Sequence, residues 1–265
     1  MKEHETHVVS QFGPQAAAYV ASAVHASGPD LEALERIVAA KRPENALDLG
    51  TGGGHVAYRL AAHATQVTAV DLSADMLAAV AATASDRGLG NLLTVESAVE
   101  TLPFEDGAFD FLACRYSAHH WSDLEAGIRQ ARRVLKSGSP AVFIDAVAAG
   151  SALADTHLQA VELLRDTSHV RDYSPAEWMA VLARTGFAVE NSRMFRVRMD
   201  FKVWIARMRT PDENARVIRK LQDGASQSVV TVTAHDSNGR PLPNLSMRAE
   251  IRVGGRVADF GSLSA

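Results

Sequence analysis

The chain has 265 residues, 47% of them hydrophobic and 22% charged, with a formal net charge of −4. That length and apolar content suit one full α/β core. No lysine or arginine run marks a nucleic-acid surface, and a lone cysteine, Cys114, excludes an intrachain disulfide or a cysteine metal cluster and fits a reducing cytosol. The opening MKEHETHVVS is polar with no apolar signal core behind it, and no apolar run reaches membrane-spanning length. A soluble, cytoplasmic protein is expected.

In chain order, helical spacing covers Gln15 to His25 and Leu31 to Lys41, with Asp30 set to cap the second helix. Elements then alternate: strand 45–49, helix 53–64, strand 66–71, helix 73–87, strand 92–96, strand 109–116, helix 123–136 and strand 141–147. Short apolar strands alternating with helices imply a parallel sheet covered on both faces. Ser174-Pro175-Ala176-Glu177 opens another helix, with proline in its first turn and a capping-box glutamate, and Gly186 stops it. Beyond Phe187, VENSRMFRVRMDF alternates as a long strand, while FKVWIARMR and PDENARVIRKLQDG read as helices. SMRAEIRV alternates again after an SNGRP turn, and RVADFGSLSA reads as a loose tail. No repeat or linker divides the chain, so a single domain is expected.

The most telling stretch is ALDLGTGGG, from Ala46 to Gly54, answered by VTAVDLS, from Val67 to Ser73. A buried strand runs into a glycine turn, and a second strand ends in Asp71 about twenty residues on, where a βαβ unit presents a carboxylate to a ribose. Gly50, Gly52 and Gly54 permit positive φ and keep Cβ atoms away from a ligand, with Asp48 just before the turn. In the dinucleotide fingerprint the third glycine lets the helix start close beneath a pyrophosphate, and here that position holds His55. The spacing therefore suits a ligand without phosphates that carries adenosine and an amino acid group, and it disfavours a nicotinamide oxidoreductase.

ALDLGTGGG and AVDLS resemble motif I and the following acidic strand of class I S-adenosylmethionine-dependent methyltransferases. The likeness continues through ETLPFEDGAFDFLACRYSAHHW and ARRVLKSGS, which are similar to landmarks of the small bacterial methyltransferase type 11 group, relatives of the quinone-biosynthesis C-methyltransferases. FGPQAAAYVASAVHASGPDL and VELLRDTSHVRDYS also look like that group, so the resemblance covers nearly the whole chain. It implies a Rossmann-like, doubly wound α/β fold with helices on both faces. The sheet would have seven strands, mostly parallel, with an antiparallel C-terminal strand. Residues 1–41 would form an N-terminal helical lid, 42–147 the cofactor core, 148–255 the substrate-side helices and last strands, and 256–265 the tail.

Ligands of such sheets bind outside the carboxyl ends of the strands, where strand order reverses. Asp48, Gly50, Gly52, Gly54, Asp71 and Leu72 would then hold S-adenosylmethionine, whose product is S-adenosylhomocysteine. The family commonly has an acidic residue for the adenine amino group where this chain has Ala98, so backbone groups of Ala98 and Val99 would hold the base. The fourth strand brings Arg115 to the methionine moiety and the pair His119 and His120 above the reacting centre. A histidine can act as general base near neutrality, and the pair equally suits one packed and one solvated ring. No third ligand stands at a metal-binding spacing.

Tyr19, Ser22 and His25 share one helical face. In the family such helices cover the cofactor, which would put the Phe12 and Tyr19 rings near the sulfonium and make Tyr19 and His25 further catalytic candidates; simple packing onto the sheet is the other reading. Arg165, Ser168, His169, Val170, Arg171 and Tyr173 form a cationic, polar patch, which reads as an anchor for a carboxylate or phosphate of the substrate or as a solvated loop. Nucleobase-methylating motifs and the cysteines of arsenic chemistry are absent, which leaves a small organic acceptor. A non-catalytic cofactor-binding sensor or partner subunit is the alternative, drawn from Ala98 and from KSGS in place of Lys-Pro-Gly-Gly. Neither a nucleic-acid nor a membrane partner is expected, and a homodimer is compatible with the sequence.

Overall fold

A computed structural model of the protein describes residues 2–20, 22–198 and 200–225, together with the backbone of 234–235, 241–242 and 246–254. Five parallel strands form the centre: β1 (Asn45–Leu49), β2 (Gln66–Asp71), β3 (Leu92–Glu96), β4 (Phe111–Arg115) and β5 (Ala141–Ala146). They lie in the order β3-β2-β1-β4-β5, with Ala46 beside both Val67 and Phe111. The reversal of strand order therefore falls between β1 and β4.

Strand alternation sorts the core onto two faces. Ala46, Val67, Ala69, Phe111, Ala113 and Ile144 pack with Leu31, Leu34 and Val38 of α4 (Pro29–Lys41) and Val56 and Leu60 of α5 (His55–Ala61). Leu47, Leu49, Val70, Leu112, Cys114 and Phe143 face Ile128 and Val134 of α7 (Leu124–Val134) and Trp178 and Leu182 of α9 (Pro175–Arg184). Burial on both faces is why these strands read as continuous apolar runs. A satellite cluster of Val161, Phe201, Trp204 and Ile218 joins α8 (Ala152–Arg165), α10 (Phe201–Arg207) and α11 (Asp212–Gly224).

Side chains cap several helix starts. Ser73 accepts the Met76 N–H to open α6 (Ala74–Asp86), Asp123 accepts the Ala126 N–H to open α7, and Ser174 and Glu177 form a reciprocal capping box on α9. Gly186, at φ 86°, ends α9. The Lys-Ser-Gly-Ser turn keeps its left-handed Gly138 at φ 77°, so the departure from Lys-Pro-Gly-Gly leaves the turn intact.

The N-terminal region differs from expectation. Lys2–Phe12 is a helix (α1), although its sequence is polar. The single helix expected over Gln15 to His25 is instead a 3-10 turn (Gly13–Gln15) followed by two short helices, α2 (Ala16–Val20) and α3 (Ala23–Ala26), with Ser22 in extended backbone before the second. Asp30 does not cap α4: Gly28, at φ 143°, is the cap residue and Pro29 opens the helix. The Asp30 carboxylate is buried and accepts Arg115 Nε at 2.6 Å and the Tyr116 hydroxyl at 3.2 Å, partners that sequence spacing cannot reveal. FKVWIARMR and PDENARVIRKLQDG form α10 and α11 as expected, and Val189–Arg198 is a strand, β6. The SNGRP turn, apart from Pro241, and the RVADFGSLSA tail lie outside the described residues. Among those described, no helix is long and apolar enough to cross a membrane, and no cluster of three metal-ligating side chains occurs.

Gly127 shows how tightly α7 meets the loop before it. A Cβ there would sit 2.5 Å from Trp121 Cε3. Alanine in an exposed helix interior gains about 1 kcal/mol over glycine, whereas overpacking a core costs about 1–3 kcal/mol. Gly127→Ala is expected to lower stability in urea unfolding despite the better helix former.

Candidate functional site

The cleft opens at the carboxyl ends of the strands. Gly50, Gly52 and Gly54 adopt φ of 66°, 50° and 79°, backbone that costs side-chain-bearing residues dearly. Thr51 N–H donates to the Val70 carbonyl, which fastens the turn to β2. A Cβ on Gly50 would stand 1.8 Å from Ser117 Oγ, so the turns after β1 and β4 touch. At Gly52 a Cβ would meet nothing within 4 Å, because that side faces the cleft. Asp71 accepts the Gly52 N–H at 2.8 Å and the Ser73 N–H at 3.0 Å while its carboxylate remains part of the wall. Burial holds its pKa above the usual carboxylate value, against the lowering effect of those N–H donors.

Asp48 lies under the turn rather than in the cleft. It is buried, and its Oδ2 accepts Thr51 Oγ1 at 2.7 Å and the Ala57 N–H at 3.1 Å, joining the turn to the first helical turn of α5. Burial raises its pKa to about 7, outweighing those two donors. Gly54 is likewise behind the wall, as the cap of α5, while the neighbouring Gly53, which sequence reasoning passed over, lines the cleft.

Around the rim, Leu72, Ser73, Met76, Ser97 and Val99 form the far side; Ala98 is not among the lining residues. Arg115 reaches the rim, with its Nε on Asp30 and its Nη1 on the His25 carbonyl at 2.9 Å. The following Tyr116 carries a left-handed φ of 54°, a cost of about 1–3 kcal/mol of the kind found at functional sites. Val8, Val9 and Phe12 of α1 and Tyr19 of α2, the roof of the cleft, complete its lining together with Trp121 of the loop before α7. The cleft and the open solvent of its mouth together take up about 1050 Å³.

Phe12, Tyr19 and His25 form an aromatic run: Phe12 meets Tyr19 edge-on at 5.5 Å, and Tyr19 stacks on His25 at 5.7 Å. The Tyr19 hydroxyl donates to Met208 Sδ, and burial pushes its pKa up to about 12. His25 has both ring nitrogens engaged, Nδ1 with Ser22 Oγ and Nε2 accepting from Arg207. Burial and the Arg207 charge lower its pKa, so it is neutral.

The histidine pair divides its roles. His119 lies behind the wall, its Nδ1 2.5 Å from Asp145 Oδ1 and its backbone N–H on Asp145 Oδ2. Burial alone would lower its pKa, but the Asp145 carboxylate raises it to about 9, so His119 is a cation at neutral pH. His120 lines the cleft edge-on to Phe12, with Nδ1 donating to the Ser168 carbonyl at 3.1 Å. Burial and the adjacent His119 charge lower its pKa to about 4, so its ring is neutral.

Arg165, His169 and Arg171 are not brought into the cleft. Arg165 pairs with Glu162 at 2.6 Å and lies over the Trp204 ring, His169 bonds Gln159, and Arg171 is held between Asp155 and Glu177. The carboxylates come from α8 and α9, elements whose pairing a linear reading of the patch does not disclose.

Two outcomes follow from these buried charges. Asp48→Asn retains an acceptor for both donors and is expected to be tolerated, while Asp48→Ala leaves them unmet and costs about 1–3 kcal/mol in chemical unfolding. For His119, the folded pKa near 9 exceeds the ordinary 6.5, so its stabilising contribution is full below pH 6.5 and is lost as pH rises through 9. Wild-type melting temperature should fall across that window, and Asp145→Asn should flatten the fall.

Known proteins resemble this chain in sequence and in fold. The methyltransferase domain family matches residues 47–143. The YafE protein of Escherichia coli K12 is 40% identical over 190 residues, 72% of this chain and 92% of that protein. The YcgJ methyltransferase of Bacillus subtilis 168 is 29% identical over 87% of this chain and 92% of its own length. The crystal structure of YcgJ superposes with a TM-score of 0.79 over 86% of this chain and 99% of that one. Geranyl diphosphate C-methyltransferase from Streptomyces coelicolor, solved with S-adenosylhomocysteine, shares the fold at a TM-score of 0.56 and 15% identity over 85% of this chain and 77% of its own. With a glycine turn that leaves Gly52 open to the cleft and Asp71 held at its edge, the chain belongs to the methyltransferase domain family and is an S-adenosylmethionine-dependent enzyme.

Proposed function

We propose that the enzyme methylates a small organic acceptor bound between the roof helix α1 and Trp121. The carrying observation is that Val8, Val9, Phe12 and Trp121 line the cleft together with the glycine turn and Asp71. An apolar compartment of this kind suits a small molecule. The same apolar lining favours catalysis over a non-catalytic sensor or partner subunit, and the lining offers no basic stripe for a nucleic acid.

S-adenosylmethionine supplies an electrophilic methyl group on a sulfonium with a good leaving group. Asp71 takes the ribose hydroxyls, Gly50 and Gly52 let the ligand lie against the backbone, and Ser97 and Val99 flank the adenine in place of the acidic residue that Ala98 lacks. Arg115, held by Asp30, faces the methionine end. Phe12 and Tyr19 present rings to the sulfonium, worth about 0.5–2 kcal/mol by cation–π attraction. The chief contribution of the protein is orientation, which lowers such barriers by about 7–11 kcal/mol.

His120 is the acceptor-side base: its ring is neutral, it lines the cleft, and its Nδ1–H is committed to Ser168, which leaves Nε2 to take a proton from an acceptor O–H or N–H. Asp166, 3.8 Å from that nitrogen, steadies the resulting cation. His119 and Asp145 act behind it as a charged brace. Tyr19 and His25, with their polar atoms engaged, act by shape, and Arg165, His169 and Arg171 stiffen the acceptor wall through their carboxylate and amide partners.

The same reading completes the sheet. Ser246–Gly254 adds antiparallel beside β5, and β6 pairs antiparallel with it in turn at the edge, parallel to the first five, to give seven strands; the registers Ala141↔Gly254 and Arg198↔Ser246 support this. Residues 1–41, 42–147 and 148–255 then act as lid, cofactor core and acceptor side of one domain.

Incubation with methyl-labelled S-adenosylmethionine and fractionated cell extract should place the label in low-molecular-mass material; label confined to protein or nucleic acid would overturn the small-acceptor reading. Asp71→Ala is expected to weaken S-adenosylhomocysteine binding by about 1.5–3 kcal/mol in calorimetry, through loss of charge-assisted hydrogen bonds. Gly52→Val should abolish binding with an unchanged circular dichroism spectrum.

A further inference from the structure

The roof of the cleft is fastened unequally along its two sides. On the acceptor side the side-chain ties are many. His4 Nε2 donates to the His120 carbonyl at 2.9 Å, and His7 and Gln11 both bond Thr167 Oγ1 at 2.8 Å. The Tyr19 hydroxyl reaches Met208, and Arg207 reaches His25. On the cofactor side, among the described residues, the ties are fewer: Arg115 Nη1 donates to the His25 carbonyl at 2.9 Å, and the glycine turn reaches the roof where His55 Nε2 donates to the Tyr19 carbonyl at 2.9 Å.

That contact is built from both partners. A Cβ on Gly53 would lie 2.6 Å from the Tyr19 carbonyl oxygen and 2.8 Å from its carbon, so the roof backbone rests directly on Gly53. Gly53 has no positive φ, so its glycine is required by this approach and not by the bend of the turn. His55 occupies the first turn of α5, directly after the Gly54 cap, which aims its ring at the end of α2. The His25 ring, stacked on Tyr19, also lies parallel to His55 at 6.4 Å.

We infer that His55 is a positioning residue whose hydrogen bond to the Tyr19 carbonyl, seated on Gly53, clasps the roof over the cofactor end of the cleft. Releasing the clasp opens the cofactor end while the ties to His120, Thr167 and Met208 keep the acceptor side shut. The position that dinucleotide-binding proteins give to a close-packing glycine is here used to close the site, which also accounts for the bulk of the side chain. The inference rests on the reading of α1 and α2 as a lid.

The test is stopped-flow measurement of S-adenosylhomocysteine association and release with the full chain, beside thermal unfolding. His55→Ala and Gly53→Ala attack the clasp from opposite partners. Each should speed release by about fivefold to tenfold, the size of one lost hydrogen bond. His55→Gln, which keeps an N–H donor, should restore most of the slow release. If His55→Ala fails to fold, Gly53→Ala carries the same test. Unchanged release in the folded variants, or equal acceleration in His55→Gln and His55→Ala, would overturn the clasp. Absence of S-adenosylhomocysteine binding by the wild type would instead overturn the cofactor reading of the cleft.

Discussion

The bend between Leu49 and His55 is the constraint on which the cleft depends. Three glycines in left-handed backbone turn β1 into α5 within a few residues, and two aspartates hold the bend from opposite sides. Asp48 grips it from below, through Thr51 and Ala57, in a buried setting where the carboxyl sits near its protonation midpoint at neutral pH. Asp71 grips it from the cleft side through the Gly52 N–H, and so spends part of its hydrogen-bonding capacity shaping the turn. The floor of the site is thus set by backbone geometry, and the side chains around it refine a shape already made.

Much of this was legible in the sequence because the signals were local. The strands β1 to β5 announce themselves as short apolar runs, and Ser73, Asp123 and the Ser174–Glu177 pair act as caps within three residues of their donors. Asp71 sits at the end of the second strand, as spacing requires. What escaped were features decided across long separations. Asp30 looked like a cap, yet its partner Arg115 lies 85 positions away. α1 has too little apolar character to predict, and it forms as a helix with Val8, Val9 and Phe12 facing the cleft. Arg165 and Arg171 looked like free cations until Glu162, Asp155 and Glu177 were folded against them.

The histidine pair illustrates how neighbours in sequence acquire opposite electrostatics. Asp145 lies within hydrogen-bond reach of His119, and the charge it stabilises there suppresses charge on the next ring. One residue becomes a permanent cation at neutral pH and the other a neutral acceptor facing the cleft. Adjacent identical residues carry no such distinction in the sequence; burial of both rings and the position of Asp145 beside only one of them create it.

Three of the roof's ties end on main-chain atoms. His55 holds the carbonyl of Tyr19, Arg115 that of His25, and His4 that of His120. A carbonyl is supplied by whatever residue stands at its position. The side chains of Tyr19 and His25 can therefore change without removing the bonds from His55 and Arg115, so that the lining of the cleft and these two attachments are separable.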